Sequence, residues 1–207
     1  MPASPQALNL SKALRHLRRD PHLAPLIAAY GAPQFRPKPN AFRALTESIV
    51  YQQISGSAAD AIFNRFLDLF PKRRFPKPAE LLAIPLPRLR VAGLSIQKAT
   101  YILDLAAKFL DGTIQPHRFP QMTDEEISDH LIQVKGIGPW TADMFLMFAL
   151  NRPDVLPVGD LAIRQGFKKL FRLRKEPAPE RMQILAGPWR PYRTVASWYL
   201  WRVVDSP

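Results

Sequence analysis

Apolar residues recur along most of the chain at the three- and four-residue spacing of an amphipathic helix, and no segment alternates like a half-buried strand. One such stripe runs over residues 8–19, where Leu10, Leu14 and Leu17 share a helical face. A longer stripe runs over residues 96–110. The chain has 22 prolines, which lie mainly at the boundaries of these segments, where proline interrupts no helical hydrogen bond. This pattern predicts an all-α protein.

Capping residues mark the start of several predicted helices. Ser95 precedes the stripe over 96–110 and has the side chain of a good N-cap. Thr123 followed by Glu126 matches a capping box, which predicts a helix over 124–133. The remaining predicted elements are helices over 41–54, 58–70, 140–150 and 161–172, a final segment over 187–204, an extended connector over 32–40 and a basic loop over 71–78.

A glycine-rich hairpin separates two of these helices. The sequence QVKGIGPWTAD joins helix 124–133 to helix 140–150, which is apolar nearly all round and is expected to be buried. Gly136 and Gly138 tolerate positive φ and let the backbone approach a ligand, while Pro139 suits a first helical turn. The N–H groups at a helix start bind anions such as phosphate. This helix–hairpin–helix pattern predicts an anchor for a phosphate backbone, with a plain tight connection as the alternative.

The charge balance favours a polyanionic partner. Lysine and arginine number 29 against 17 acidic residues, which gives a net charge of +12 and a pI of about 10.4. Nucleic acid is the first candidate for such a partner, and an anionic membrane is the second. Because the sequence contains no signal-peptide pattern and no apolar run long enough to cross a bilayer, we expect a soluble intracellular protein.

The absence of cysteine narrows the chemistry. The 207 residues include no cysteine, which excludes disulfides, thiolate zinc sites and iron–sulfur clusters held by cysteine. A chain of this length forms one large domain or two closely packed small ones. Its apolar content of 47% is enough for a core without such cross-links.

Five stretches of the chain together resemble the helix–hairpin–helix DNA glycosylase superfamily, and within it the alkylbase branch, 3-methyladenine DNA glycosylase II. They follow the order found in that family and span most of residues 40–203. The resemblance implies an all-α fold of two intimately packed helical subdomains, with the active-site cleft between them. The five stretches are SIVYQQISGSAADAIFNRF (48–66), GLSIQKATYILDLA (93–106), VKGIGPWTADMFLMFAL (134–150), LPVGDLAIRQG (156–166) and WRPYRTVASWYLWR (189–202).

The same resemblance implies an organisation and an activity. Residues 1–207 are expected to form a single glycosylase unit. Within it, 1–39 pack with the C-terminal part, 40–133 form a helical barrel subdomain, and 134–207 carry the hairpin, the catalytic loop and the C-terminal helices. The implied activity is monofunctional hydrolysis of the N-glycosidic bond of alkylated bases, such as 3-methyladenine and 7-methylguanine, in double-stranded DNA. The enzyme would flip the base, leave an abasic site and need no cofactor; we expect a cytoplasmic, nucleoid-associated monomer that binds no membrane.

The resemblance assigns catalysis to one carboxylate. Asp160, in LPVGDLAIRQ, occupies the position of the family's catalytic aspartate. Breaking a base–sugar bond builds positive charge on the sugar, which a nearby carboxylate stabilises. From the sequence alone Asp160 is also a good N-cap for the next helix, and the two roles are compatible. Trp140 stands where bifunctional relatives carry a Schiff-base lysine, so the resemblance implies no lyase activity.

Aromatic residues are the implied base pocket. The resemblance places Trp140 and Trp201 around the flipped base, with Met144 and Trp198 beside them. Alkylated purines carry positive charge, which aromatic faces attract by roughly 0.5–2 kcal/mol. Tryptophans three residues apart on a helix are also common in ordinary cores, which is the alternative interpretation.

The remaining implied contacts are with the DNA backbone and the gap left by the flipped base. YQQIS lies in a predicted turn, where the family presents a wedge side chain. The resemblance gives the wedge role to Gln53, with Ser55 beside it in the minor groove; two surface amides, Gln52 and Gln53, are the alternative. The implied phosphate contacts are Lys135, Gly136, Gly138, Trp140, Thr141, Lys98 and Arg164.

A structural cation is also implied, but no catalytic metal. The backbone carbonyls of Ile132, Val134 and Gly136 match those that hold Na⁺ or K⁺ in relatives. No ligand cluster for a catalytic metal is visible in the sequence. Two other functions compete with the alkylbase enzyme. A non-catalytic module that only docks DNA needs neither Asp160 nor the C-terminal tryptophans, and a glycosylase for oxidised or mismatched bases with lyase activity needs the lysine that Trp140 replaces.

Overall fold

A computed structural model of the protein describes residues 8–205, which form α-helices, short 3-10 helices and loops but no β-strand. The predicted all-α fold is therefore confirmed. No helix in this range is long and apolar enough to cross a membrane. The helices are α1 (Leu10–Leu17), α2 (Leu23–Tyr30), α3 (Ala41–Tyr51), α4 (Gly56–Leu67), α5 (Pro78–Leu82), α6 (Leu86–Val91), α7 (Ile96–Leu110), α8 (Asp124–Leu131), α9 (Pro139–Phe148), α10 (Leu161–Leu170), α11 (Pro179–Leu185) and α12 (Arg193–Asp205).

Helix starts with a strong local signal lie where the sequence predicts them. The Ser95 hydroxyl accepts a hydrogen bond from the Lys98 amide at 3.1 Å and begins α7. Thr123 and Glu126 form the predicted capping box at the start of α8, with hydrogen bonds of 3.1 and 2.7 Å. Both predictions are confirmed because each cap uses groups three residues apart, which the sequence shows directly.

Several helix ends differ from the prediction. The helix expected over 41–54 ends at Tyr51, because Gln52 has ψ 132° and Gln53 has φ +57°, and both residues are outside the helical region. Ser55 then caps α4, which begins at Gly56 instead of residue 58. The helices expected over 124–133, 140–150 and 161–172 also end two residues early, at Leu131, Phe148 and Leu170.

The sequence pattern misses four short helices. These are α2, α5, α6 and α11, which have between 5 and 8 residues. Such segments are too short to show a helical period, and three of them have a proline at the first or second helical position. The predicted basic loop over 71–78 likewise contains a 3-10 turn at Pro71–Arg73 and the start of α5.

The chain divides into two compact units. Lys38–Phe145 form one, called the central unit below, and the residues up to Pro37 with those from Leu146 onward form the other, the terminal unit. The hairpin belongs to the central unit, whereas the predicted segment 134–207 grouped it with the C-terminal helices. Asp104 of α7, in the same unit, accepts a hydrogen bond from the Lys135 amide at 2.8 Å, which joins the hairpin to that helix.

Helix α7 is the centre of the central unit. It packs against α3, α5 and α6. Ala99 and Ile102 of the predicted stripe are fully buried, as is Leu105, whereas Leu110 at the helix end is 54% exposed. The packed face of α7 therefore follows the predicted stripe but ends before its last residue.

Helix α12 has the corresponding place in the terminal unit. It packs against α1, α2 and α10 around a core that includes Phe167, Trp189 and Tyr199. Gly166 of α10 lies directly against α12: a Cβ at this position would be 2.8 Å from the carbonyl oxygen of Leu200. Glycine therefore permits the close approach of these two helices.

Candidate functional site

The two glycines of the hairpin have different structural roles. Gly136 has φ +81°, and a Cβ on it would lie 2.0 Å from the Tyr101 ring, so both conformation and space require glycine. Gly138 has no positive φ, and among the described residues no atom lies within 4 Å of a Cβ placed there. Its carbonyl accepts the Ala142 amide at 3.0 Å, which makes Gly138 the residue that opens α9. Ile137 is 4% exposed, as expected for a residue that holds the hairpin in the core.

The start of α9 presents both exposed and buried groups. Pro139 occupies the first helical position, as the sequence predicts. Trp140 is 46% exposed, so the helix expected to be buried all round is open at this end. The Thr141 side chain is buried, which leaves the backbone as the part of this residue suited to a phosphate. The Lys135 side chain is exposed beside the hairpin.

The turn between α3 and α4 carries the predicted wedge. Gln53 is exposed and adopts the left-handed conformation, and Ser55 accepts the Ala58 amide at 3.4 Å as N-cap of α4. Tyr51 donates a short hydrogen bond from its hydroxyl to Asp60 of α4. That bond to a carboxylate, together with burial, raises the pKa of Tyr51 to about 12. The two helices on either side of the turn are thus tied together.

Gln52 joins this turn to the hairpin. Its Nε2 donates to the carbonyl of Gly136 at 3.0 Å and lies 3.4 Å from the Thr141 hydroxyl. The residue is half-buried, and its side-chain amide is bound to the hairpin. The glutamine pair in YQQIS is the available sequence signal, but nothing in it shows which glutamine points inward.

An open cavity of about 980 Å³ lies where these elements meet in the central unit. The turn, the hairpin, the start of α9 and the first turns of α7 all contribute to its wall. The structure thus brings together predicted residues from three separate sequence stretches. The predicted site residues that line the cavity are Gln53, Lys98, Gly136, Trp140, Thr141 and Met144.

Lys98 faces the protein. Its ammonium donates to the carbonyls of Val50 and Gln52, each at 2.7 Å. Burial disfavours the charged form and lowers the pKa of Lys98. Two of the three ammonium donors are therefore used by the end of α3, whereas the resemblance implies a phosphate contact.

Asp160 lies in the terminal unit and caps α10. One carboxylate oxygen, Oδ1, accepts the Ile163 amide at 2.8 Å and the indole N–H of Trp201 at 3.2 Å. Asp160 is therefore the N-cap of α10, which is one of the two roles that the sequence allows. The hydrogen bond from α12 also ties the predicted catalytic carboxylate to one of the predicted base-pocket rings.

The other predicted residues of the terminal unit have different neighbours. The Trp201 ring lies 5.8 Å from that of Phe148. Trp198 contacts Tyr199 edge-on at 5.0 Å and has the Arg202 guanidinium over its face at 5.0 Å. Arg164 lies 3.8 Å from the Glu176 carboxylate, so its charge is partly balanced within the protein.

The carbonyls implied for a structural cation are partly used by hydrogen bonds. The Val134 carbonyl accepts a hydrogen bond from the Ile137 amide at 3.0 Å, and the Gly136 carbonyl accepts one from the side chain of Gln52. A carbonyl oxygen has two lone pairs, so each keeps the capacity for a further ligand. Oxygen donors of this kind fit Na⁺ or K⁺. Within residues 8–205, no group of three or more histidine and acidic side chains is placed to hold a metal ion.

The described residues form a helical fold in which a glycine hairpin joins α8 to α9. This arrangement defines the helix–hairpin–helix class of proteins. Residues 46–191 match the HhH-GPD superfamily base excision DNA repair protein family. The chain belongs to this family.

Named relatives narrow the comparison. The chain is 36% identical over 183 residues to DNA-3-methyladenine glycosylase 1 of Schizosaccharomyces pombe, covering 87% of this chain and 79% of that protein. A structure of the Schizosaccharomyces pombe 3-methyladenine DNA glycosylase (Mag1) in complex with abasic DNA matches with a TM-score of 0.82 and 34% identity, over 94% of this chain and 97% of that one. DNA-3-methyladenine glycosidase from Bacillus halodurans matches with a TM-score of 0.84 and 34% identity, over 97% and 92%.

Proposed function

We propose that this protein is a monofunctional DNA glycosylase that removes alkylated bases, such as 3-methyladenine and 7-methylguanine, from double-stranded DNA. The observation that carries the proposal is the hydrogen bond between Asp160 and Trp201. A module that only docks DNA needs neither an aspartate nor a tryptophan there. The names of the relatives, glycosylases that act on 3-methyladenine, support the same substrate class.

Asp160 supplies the charge that the reaction needs. As the bond between base and C1′ breaks, the base leaves with the bonding electron pair and the sugar gains positive charge. The carboxylate stabilises that charge, and water adds to C1′ and loses a proton to give the abasic sugar. The hydrogen bonds from Ile163 and Trp201 to Oδ1 hold the carboxylate in a fixed orientation.

The aromatic rings favour the cationic base. In this proposal Trp201 contacts the flipped base, and the face of its ring attracts the positive charge of the base. A cationic purine is already a good leaving group, so no separate acid is required. Trp140 has no amine with which to form a Schiff base, so the enzyme leaves the DNA strand intact.

The central unit holds the DNA. The hairpin and the start of α9 bind a phosphate through backbone N–H groups, a contact that positions the enzyme without reading sequence. Gln53 enters the duplex and fills the space of the flipped base. A monovalent cation on the carbonyls of Ile132, Val134 and Gly136 would add positive charge beside that phosphate. The enzyme acts as a monomer in the cytoplasm, on the nucleoid.

The test is base release from a duplex oligonucleotide with one 7-methylguanine, followed by alkali to cut the abasic site. Asp160→Asn keeps a side chain that caps helices as well as aspartate does, but it removes the charge. We expect this variant to lose about 100-fold or more in single-turnover rate. Binding to duplex containing an abasic analogue should stay within a factor of three.

Three outcomes would contradict the proposal. Full activity in Asp160→Asn would remove the aspartate from the chemistry. No release by the wild type from duplexes with 3-methyladenine or 7-methylguanine, despite tight binding to abasic DNA, would indicate a docking module. A protein–DNA adduct trapped by borohydride would reveal lyase chemistry.

A further inference from the structure

The end of α3 has an unusual cap. Helix C-terminal carbonyls lack partners within the helix, and a glycine in the left-handed conformation often closes this end through its backbone. In this protein the left-handed residue is Gln53, two positions beyond the last helical residue, Tyr51. The carbonyls of Val50 and Gln52 are bound by a lysine ammonium from α7.

Gln53 needs such support. Glutamine rarely adopts a positive φ, and a residue in that conformation persists where surrounding contacts determine it. The side chain of Gln53 is exposed, so burial does not hold the residue in this conformation. Three sets of hydrogen bonds fix the turn. Lys98 donates to two of its carbonyls, the side-chain amide of Gln52 donates to the Gly136 carbonyl, and Ser55 caps the next helix.

The same face of α7 also holds the hairpin. Lys98, Tyr101 and Asp104 are three residues apart, so their side chains follow one another along the helix. Tyr101 lies under Gly136, and Asp104 accepts the Lys135 amide. A single helix therefore sets the positions of both the turn and the hairpin.

We infer that Lys98 is a positioning residue for the wedge: its ammonium holds the end of α3 so that Gln53 points into the duplex while the hairpin grips the phosphate. The inference rests on the proposed wedge role of Gln53. It replaces the phosphate contact that the family resemblance implies for Lys98. The two roles differ in what they predict for salt dependence, because only a phosphate contact releases counterions.

The experiment compares Lys98→Met with Lys108→Met, which removes one charge from the same helix outside the cavity wall. Thermal unfolding first establishes that each variant is folded. Flipping is followed by the fluorescence of 2-aminopurine placed beside the lesion, and base release by single-turnover kinetics. We expect Lys98→Met to reduce the flipping signal and the release rate about 10- to 100-fold, while Lys108→Met stays near the wild type.

Salt titration separates the two roles of Lys98. The slope of log K against log salt concentration should be unchanged in Lys98→Met if the residue acts inside the protein. A slope smaller by about 0.9 would instead identify a lost phosphate contact and overturn the inference. If Lys98→Met does not fold, Lys98→Arg keeps the charge but not the compact ammonium, and full flipping in that variant would contradict a positioning role.

Gln53→Ala distinguishes failure of this inference from failure of the proposed function. If Gln53→Ala lowers flipping and adding Lys98→Met lowers it no further, Lys98 acts through the wedge. If Gln53→Ala lowers flipping but Lys98→Met does not, the inference is wrong and the wedge stands. If Gln53→Ala has no effect, both the wedge and the inference fall, while base release by the wild type still tests the glycosylase itself.

Discussion

Asp160 of the terminal unit and Lys98 of the central unit are both charged side chains bound to a helix end. Asp160 accepts an amide at the start of α10, and Lys98 donates to carbonyls at the end of α3. The amide that Asp160 caps is three residues away, whereas the carbonyls held by Lys98 are 46 and 48 residues away. The first bond fixes the orientation of a carboxylate, and the second joins the end of α3 to a neighbouring helix. A charged residue in a family motif can therefore bind a ligand or hold another part of the protein in place. The sequence shows the second role only when the residue and its partner are close along the chain, as in a helix cap.

The largest effect that we expect is a difference in the free energy of unfolding between alanine substitutions at the two glycines of the hairpin, in the central unit. Gly136→Ala should lower the free energy of unfolding by about 3 kcal/mol, because of the positive φ and the contact with the Tyr101 ring. DNA affinity should fall with it. The matched control, Gly138→Ala, should cost about 1 kcal/mol or less, because that position has no positive φ and is open.

Urea unfolding and binding to abasic duplex measure both variants. Equal losses in the two would mean that Gly136 has no special conformational role. A Gly136→Ala protein that is as stable as the wild type but binds DNA weakly would place the effect at the ligand instead of the fold.

The next effect concerns the terminal unit and isolates a single hydrogen bond. Trp201→Phe keeps an aromatic face for the base but removes the indole N–H that donates to Asp160. We expect the single-turnover rate to fall about 10- to 100-fold, since a hydrogen bond to a charged group is worth about 1.5–3 kcal/mol. Binding of the methylated duplex should change little.

Tyr192→Phe provides the control, because it also removes a polar hydrogen from an aromatic residue of the same unit. It should keep nearly the wild-type rate. A Trp201→Phe enzyme with an unchanged rate but weaker binding would show that the ring matters for stacking and not for orienting the aspartate.

A smaller effect on the free energy of unfolding distinguishes the charge of Asp160 from its hydrogen bond as a helix cap. Asp160→Ala removes both the charge and the cap, and should cost about 1 kcal/mol in unfolding free energy. Asp160→Asn should cost less than half of that, although both variants lose activity. Calorimetry with each purified variant measures the difference. Equal stability of the two would mean that capping by Asp160 contributes nothing to the fold.

The smallest effect is the titration of Tyr51, which lies beside the turn between α3 and α4. Because the pKa of Tyr51 is raised from 10.0 to about 12, folding favours its protonated form. The stabilisation is therefore complete below pH 10 and is lost as the pH rises from about 10 to 12. Burial also raises the pKa of Tyr199 to about 12, so tyrosinate absorbance should show one late-ionising group fewer in Tyr51→Phe than in the wild type. A Tyr51 that ionises near pH 10 would mean that its hydroxyl is not bonded to Asp60 in solution.

Local signals account for the part of the fold that the sequence predicts. The Ser95 cap and the Thr123 capping box use neighbouring residues, and the apolar stripe of α7 is long enough to show its period. The helices α5, α6 and α11 are not predictable in this way, because each is a short turn begun by proline and held by packing.

The candidate site, like the fold, is only partly predictable from the sequence. The motif identifies the hairpin and the aspartate, but the role of each residue within it depends on partners far along the chain. Gln52 lies 84 residues from its partner Gly136, and no property of a glutamine reveals such a contact. The difference between Gly136 and Gly138 likewise depends on the ring of Tyr101, which belongs to another helix.

Gly166 limits how this enzyme can be altered. The backbones of α10 and α12 are so close at Gly166 that a Cβ has no room there. The separation between Asp160 and Trp201, which these two helices carry, therefore depends on this glycine. In the proposed function Trp201 contacts the flipped base, so directed evolution toward bulkier lesions would seek to move Trp201 by remodelling α12. We expect libraries that vary Gly166 to yield mostly inactive clones, even where the new side chain is as small as alanine. Changes of substrate range should instead come from side chains that project from α12 while its backbone keeps its place.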